Sequence, residues 1–200
     1  MLVTFTGASG SGKSSLIRAL TPLLPGAALS PGCTTRSPRH GESSNDVESL
    51  TTEEFEDETR RGQFLWTIEV HGHLYGTRRS EMTRGLRSDA SWILVILAPQ
   101  VIDQLGTFAT ELDVRSALYS VYVQAPPVDV LVERMRRRDL AADARDIERR
   151  VSECLEWDRL AWECGTYDVF ARGDGELARN ASDVASELRS IFKRRRVLFK

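Results

Sequence analysis

An α/β domain with a mostly parallel five-strand sheet flanked by helices is what this sequence predicts, on three observations. The apolar run Met1–Phe5 passes through a glycine-rich turn into a helical pattern. Further short apolar runs alternate with amphipathic helical stretches, as do strands buried on both faces by crossover helices. From about 47 to 80 that rhythm breaks into mixed short elements, which predicts a small α+β insert. Two hundred residues, 41% of them apolar, suffice for one compact domain carrying such an insert.

The elements follow in order. Leu2–Phe5 reads as a buried first strand, and Ser15–Leu20 as the first turns of a helix. Pro22 and Pro25 end that helix, and Ala27–Leu29 can form a short second strand. Residues 31–46, rich in Pro, Ser, Gly and charge, read as loop. Glu53–Arg61 is a short charged helix opened by Thr52, with Phe55 turned inward. Phe64–Val70 and His73–Gly76 are strands around a His71-Gly72 turn. Trp92–Leu97 is a central strand, Gln100–Phe108 a helix and Ala117–Val123 another strand. Pro127 opens a helix that runs to Arg138. Ile147, Val151, Cys154 and Leu155 recur at helical spacing within a long amphipathic helix, Ala144–Glu163. Tyr167–Ala171 is the last strand and Glu176–Phe192 the closing helix. One domain thus spans 1–200, its core 1–30 and 89–200 interrupted by an insert over about 31–88.

Composition narrows the function classes. A net charge of −2 argues against bulk attraction to nucleic acid, so no nucleic-acid partner is expected. The basic run Lys193–Arg196 reads as a solvated helix end. Cys33, Cys154 and Cys164 are odd in number and match no metal-ligand spacing, which reads as free thiols in a reducing compartment. The N-terminus shows no charged leader, and Trp92–Pro99 is too short to span a bilayer. These features predict a cytoplasmic protein with no membrane partner, a monomer or homodimer.

The strongest local signal is Gly7-Ala8-Ser9-Gly10-Ser11-Gly12-Lys13-Ser14, followed by Ser15. It is the phosphate-cradling pattern G-x-x-x-x-G-K-[ST], with the strand before it and the helix after it that the pattern requires. Glycines let backbone N–H groups turn inward around a phosphate chain, at a helix N-terminus that already favours negative charge. Lys13 would reach the terminal phosphates and the Ser14 hydroxyl would take one Mg²⁺ position. The sequence predicts a nucleoside triphosphate site, with ATP and Mg²⁺ as its occupants.

Further elements join this motif. Thr34-Thr35-Arg36-Ser37-Pro38-Arg39 precedes Gly41-Glu42; Tyr75-Gly76-Thr77 follows; Ala125-Pro126-Pro127 leads into Arg134–Arg138; and Arg150 lies on the long helix. In this order and spacing the chain resembles the guanylate kinase family of P-loop nucleoside monophosphate kinases, from Leu2 to about Phe192. The resemblance implies transfer of the ATP γ-phosphoryl group to a phosphorylated small molecule. It implies that Arg36, Arg39 and Tyr75 hold the acceptor's phosphate, with Glu42 and Thr77 beside them. Arg134 and Arg138 match arginines of a lid over about 134–145, and Arg150 matches the one that neutralises the moving phosphoryl. Such a ring of positive charge around Lys13 is chemically sufficient for phosphoryl transfer.

The positions that read guanine in that family are different here. Gly32 stands for a serine, Val47 for a tyrosine that binds phosphate, Trp66 for a glutamate, and Val95 and Leu97 for two aspartates. A buried unpaired polar edge costs on the order of 1–3 kcal/mol, so these exchanges are expected to abolish guanine selection unless another group, such as Glu69, takes over. The lost aspartates also leave Glu42 as the candidate acidic support for Mg²⁺. Two alternatives follow. Ribose 1,5-bisphosphate kinases resemble this family without its base-reading aspartates, and Arg78, Arg79 and Arg84 could bind the second phosphate. A modified or pyrimidine nucleotide stacked on Trp66 is a further acceptor. A non-catalytic binding module on the same fold is the other alternative, although such modules typically lose the lysine or glycines retained here.

Overall fold

The apolar runs become strands because both their faces are covered. A computed structural model of the protein describes residues 1–38, 47–70, 72–88, 91–138 and 143–198. β1 (Leu2–Thr6), buried at every residue, feeds through the glycine-rich turn into α1 (Lys13–Leu20). A 3-10 turn containing Pro22 leads on to β2 (Ala28–Ser30). Then come β3 (Gly32–Thr34), β4 (Val47–Ser49), α2 (Thr52–Arg60), β5 (Phe64–Val70), β6 (His73–Arg78) and α3 (Arg79–Leu86). The core resumes with β7 (Ile93–Ile96), α4 (Ile102–Glu111), β8 (Leu118–Val123), α5 (Val128–Arg138), α6 (Ala144–Cys164), β9 (Val169–Ala171) and α7 (Leu177–Leu198).

The main sheet has the order β2-β7-β1-β8-β9, and every pairing in it is parallel. Alternation along each strand sends side chains to two different cores. Val3, Phe5, Leu94, Tyr119 and Val121 face Leu16, Ile17 and Leu20 of α1 and Val184 and Leu188 of α7. Leu2, Ile93, Val95 and Leu118 face Met82 and Leu86 of α3 and Leu105 and Phe108 of α4. Each fully buried side chain of this size stabilises the fold by about 1.5–3 kcal/mol.

The second sheet, β4-β3-β6-β5, is mixed, with β3 and β4 parallel and the other pairings antiparallel. α2 closes it from outside, and its Phe55 stacks on Phe64 with ring centroids 4.6 Å apart. Gly76 is required beneath that pair, since a Cβ there would come within 2.9 Å of the Phe64 ring. Thr51, one residue earlier than the sequence pattern suggests, caps α2 in a reciprocal capping box with Glu54.

Three readings of the sequence are corrected. Gly32–Thr34 is a strand, although its glycine and neighbouring prolines read as loop. The polar segment Arg79–Leu86 is a helix, whose short inward face of Met82, Gly85 and Leu86 gave no periodic signal. The basic run near the C-terminus lies on α7 and is not wholly solvated. Arg195 pairs with Asp168, donates to the Leu118 carbonyl, and lies 4.6 Å over the Tyr119 ring.

Arg78 ties the insert together. Its guanidinium meets Glu48 of β4 at 2.6 and 2.9 Å and Glu58 of α2 at 2.7 and 2.7 Å. Arg78 and Glu58 are largely shielded and Glu48 partly so, and removing the arginine strands two carboxylates. Arg78→Ala is expected to lower stability by about 2 kcal/mol in urea unfolding. Arg60→Ala, which breaks only exposed pairs with Glu56 and Asp57, should stay within about 0.5 kcal/mol.

Candidate active site

The site begins where β1 ends against β8. Gly7, at φ 137°, passes so close to β8 that a Cβ would sit 2.2 Å from the Val123 carbonyl oxygen. The loop therefore turns away from the sheet and enters α1 through Gly12, an N-cap that makes no side-chain bond. The N–H groups opening that helix are oriented toward whatever anion the loop cradles. Lys13 folds over the loop, its Nζ donating to the Gly7 and Ala8 carbonyls at 2.7 Å each and reaching Ser11 Oγ at 3.5 Å. Ser14 and Ser15 are exposed on the first turn, while Ala8 and Ser11 are buried.

Two helices, α5 and α6, meet the same loop. Arg134 of α5 donates through Nη1 to the Gly10 carbonyl at 3.1 Å and the Gly173 carbonyl at 3.0 Å. Its guanidinium thus bridges the phosphate loop and the loop after β9. Cys154 of α6 contributes Sγ to the Ser9 carbonyl at 3.8 Å and packs with Ala8, Leu131 and Met135. One turn earlier on α6, Arg150 is only 8% exposed and pairs with Asp146 at 3.2 Å. Burial pushes the Cys154 thiol up to about 11, while Lys13 and Arg150 pull the other way. Asp158, another turn along α6, accepts from Tyr122 Oη at 2.9 Å and from the Ala125 N–H at 3.0 Å, fixing α6 to the end of β8.

The acceptor-side residues sit on the insert. The Thr34 hydroxyl donates to the Leu74 carbonyl at 2.8 Å and accepts from the Arg36 N–H at 3.1 Å. Thr35 exchanges bonds with Leu74 through its N–H and its hydroxyl, each 3.0 Å. The threonine pair thus ties the start of the Arg36 segment to β6, with Thr34 opposite Tyr75 in register. Arg36 itself also donates to the Ser37 carbonyl at 2.6 Å. Arg39 and Glu42 lie outside the described residues, as does the side chain of Arg138, which closes α5. Of the stretch 134–145, the described parts belong to the end of α5 and the start of α6.

Trp66 is not an exposed stacking platform. It is 7% exposed and belongs to the apolar cluster that contains Val95 and Leu97, so these three positions form one continuous apolar wall. Glu69 does not replace it, being exposed on the other face of β5 from Trp66 and Ile68. The three arginines considered for a second phosphate are engaged elsewhere. Arg78 is held by Glu48 and Glu58, Arg79 lies 5.2 Å over the Phe108 ring, and Arg84 pairs with Glu81.

Ser30, Glu81 and Arg84 form a constellation with no signal in the sequence, because α3 itself was not legible there. The buried Ser30 hydroxyl donates to Glu81 Oε2 at 3.1 Å, and Arg84 donates to the same oxygen. Arg84 holds the Glu81 carboxyl below its ordinary range against the opposing effect of burial, with help from Ser30.

With this geometry in place, comparison with known proteins gives a consistent result. The family model described as "Guanylate kinase" matches residues 1–185. The chain is similar to the guanylate kinase of Symbiobacterium thermophilum, with 34% identity over 193 residues, 96% of this chain and 84% of that one. It is 35% identical to the guanylate kinase of Rubrobacter xylanophilus over 157 residues, 78% of each chain. Among solved structures, guanylate kinase from Anaplasma phagocytophilum shares the fold, with a TM-score of 0.60 at 22% identity, covering 95% of this chain and 84% of that one.

The thiols provide a check on this packing. Burial pushes Cys33 up to about 12 and Cys154 up to about 11, whereas Cys164 is exposed. At pH 8 iodoacetamide should modify Cys164 and spare the other two until urea unfolds the protein. Raised folded values mean stability that is intact below about pH 9 and lost as pH rises through 11–12. The melting temperature should therefore fall over that window, and less steeply in Cys154→Ala.

Proposed function

This chain belongs to the guanylate kinase family, and on that premise we propose that it phosphorylates a nucleoside monophosphate, GMP, at the expense of ATP. In the reaction an oxygen of the acceptor's phosphate attacks the γ-phosphorus, the bond from that phosphorus to the β–γ bridging oxygen breaks, and ADP leaves. The observation that carries this reading is that Lys13 and Arg134 both bond carbonyls of the glycine-rich loop at the start of α1, while the buried Arg150 lies one turn along α6 from the Cys154 that meets the same loop.

Each group has a task suited to its place. Backbone N–H groups at the start of α1 bind the phosphate chain, and Lys13 follows the charge that develops toward the bridging oxygen. Arg150, shielded on α6, exchanges its Asp146 partner for the phosphoryl group in flight, where low solvent access strengthens the contact. Arg134, set by two backbone carbonyls, borders the nucleotide side of the loop. Arg36 and Tyr75, fixed by the threonine–Leu74 bonds, anchor the acceptor's phosphate, with Thr77 next along β6. The exposed Ser14 hydroxyl is a hard oxygen donor of the kind Mg²⁺ takes, and would hold an ion shared with the nucleotide. Such an ion, when bound, neutralises the β and γ oxygens.

The ribose bisphosphate reading loses its support, because Arg78 and Arg84 are neutralised by glutamates and Arg79 is spent on Phe108. No helix among the described residues is long and apolar enough to cross a membrane.

A coupled ADP-release assay tests the proposal. ATP with GMP should give sustained turnover, and Lys13→Ala should lower kcat by roughly 10²-fold or more. Arg36→Ala should raise the KM for GMP about tenfold or more while leaving the KM for ATP within about twofold. An unchanged GMP KM in that variant would place the acceptor elsewhere.

A further inference from the structure

We propose that Glu81 is the specificity-determining residue for the acceptor's base, accepting hydrogen bonds from the N–H edge of guanine; this rests on the kinase reading above. The case starts from position. Glu81 lies in the first turn of α3, which begins directly after β6, the strand that carries Tyr75 and Thr77. Ser30, to which it is bonded, ends β2 and lies opposite Val95 of β7 in register. The Glu81 charge is also felt at Cys33 of β3, where it adds to the dominant effect of burial on that thiol. The carboxylate therefore stands where β2 and α3 meet, over the face of the main sheet that carries Val95.

Its bonding leaves one oxygen for a ligand. Ser30 and Arg84 both donate to Oε2, and among the described residues no hydrogen bond is directed at Oε1. The side chain is 30% exposed, so Oε1 is reachable while Oε2 is braced. A buried hydroxyl and a guanidinium gripping a single oxygen fix the direction of the other.

The chemistry then selects the base. An ionised carboxylate only accepts. Guanine presents two adjacent donors, its ring N1–H and its 2-amino group, whereas adenine presents a ring nitrogen lone pair on the same edge. Hypoxanthine keeps N1–H and lacks the amino group. Trp66, Val95 and Leu97 are apolar and cannot tell these edges apart, so discrimination falls to the one carboxylate. Its pairing with Arg84 and Ser30 keeps it ionised, hence accepting, throughout the neutral range.

The experiment compares kcat/KM for GMP, IMP and AMP in the wild type and in Glu81→Gln, with thermal melting of each. Glutamine is nearly isosteric but turns half of the acceptor edge into a donor. The wild type should prefer GMP over IMP, and GMP over AMP by a wider margin. In Glu81→Gln the GMP:IMP ratio should drop about tenfold, mainly through KM for GMP, with KM for ATP within about twofold. A merely structural role would lower all three substrates alike and leave the ratio unmoved. A wild type active on GMP whose ratio is unchanged in the variant overturns the Glu81 assignment alone. A wild type silent on GMP overturns the kinase reading and this assignment together. Should Glu81→Gln melt early, Glu81→Asp, which retains the charge and withdraws it by one methylene, carries the same comparison and should lower the ratio as well.

Discussion

The closeness of the Gly7 backbone to the Val123 carbonyl is the constraint from which the rest of the site is built. β1 and β8 pair in parallel up to Thr6 and Tyr122, and at the next residue there is no room for a side chain. The chain after β1 must lift off the sheet at that point, and α1 begins where the lift ends. The end of β8 is equally committed. Ala125 gives its N–H to Asp158 of α6, and α5 opens three residues later at Val128. A Cβ on Gly173 would lie 2.0 Å from the Gln124 carbonyl oxygen, so the loop after β9 is pressed onto the same spot. Three backbone segments thus crowd one corner, and the helices leaving it carry Lys13, Arg134 and Arg150.

How a cation is held decides what it can still do. A guanidinium gripped by carboxylates has its charge balanced, and several arginines are spent this way: Arg78 within the insert, Arg84 on α3, and Arg149 and Arg159 along α6, while the buried Arg150 also meets a carboxylate, that of Asp146. A guanidinium gripped by carbonyls keeps its charge, because a peptide dipole orients it without cancelling it. Arg134 is of that kind, and the Lys13 ammonium is likewise held over the loop by carbonyls. The sequence shows a run of arginines and gives no means of sorting these classes. Only the placement of Glu48, Glu58 and Glu81 removes Arg78 and Arg84 from the pool available to phosphate.

What was legible in the sequence was whatever depends on local pattern. Strands buried on both faces leave uninterrupted apolar runs, so β1, β7 and β8 were readable, and the glycine-rich loop announced itself through its flanks. The insert was partly readable, since Phe64–Val70 alternates while Gly32–Thr34 is stabilised by pairing to distant strands and has no pattern of its own. Trp66 illustrates the limit for single residues. Beside phosphate-binding elements it suggests a stacking surface, yet the cluster with Val95 and Leu97 buries it. Glu81 was illegible for the opposite reason. Its significance comes from Ser30, fifty-one positions away in the chain, and from a helix whose inward face is only three residues.

The division of labour between the two Glu81 oxygens bears on how the insert and the core act together. Oε2 is bonded to Ser30, which belongs to the main sheet, while α3 grows out of β6, which belongs to the insert. The carboxylate is therefore a joint between the two bodies as well as a group facing the acceptor. Had the acceptor's base been read from β7, its reader would have belonged to the core and its phosphate anchor on β6 to the insert. With the reader at the start of α3, both lie on one stretch of chain, Tyr75 to Glu81, whose α3 end is seated on the main sheet through Met82, Leu86 and the Ser30 bond. The core contributes the Ser30 hydroxyl that braces Oε2, and because a hydrogen bond to a carboxylate weakens steeply with angle, the seat of α3 on the main sheet sets the direction of Oε1. A carboxylate braced from the main sheet at the start of α3 is what lets apolar Val95 and Leu97 stand where carboxylates would otherwise be required.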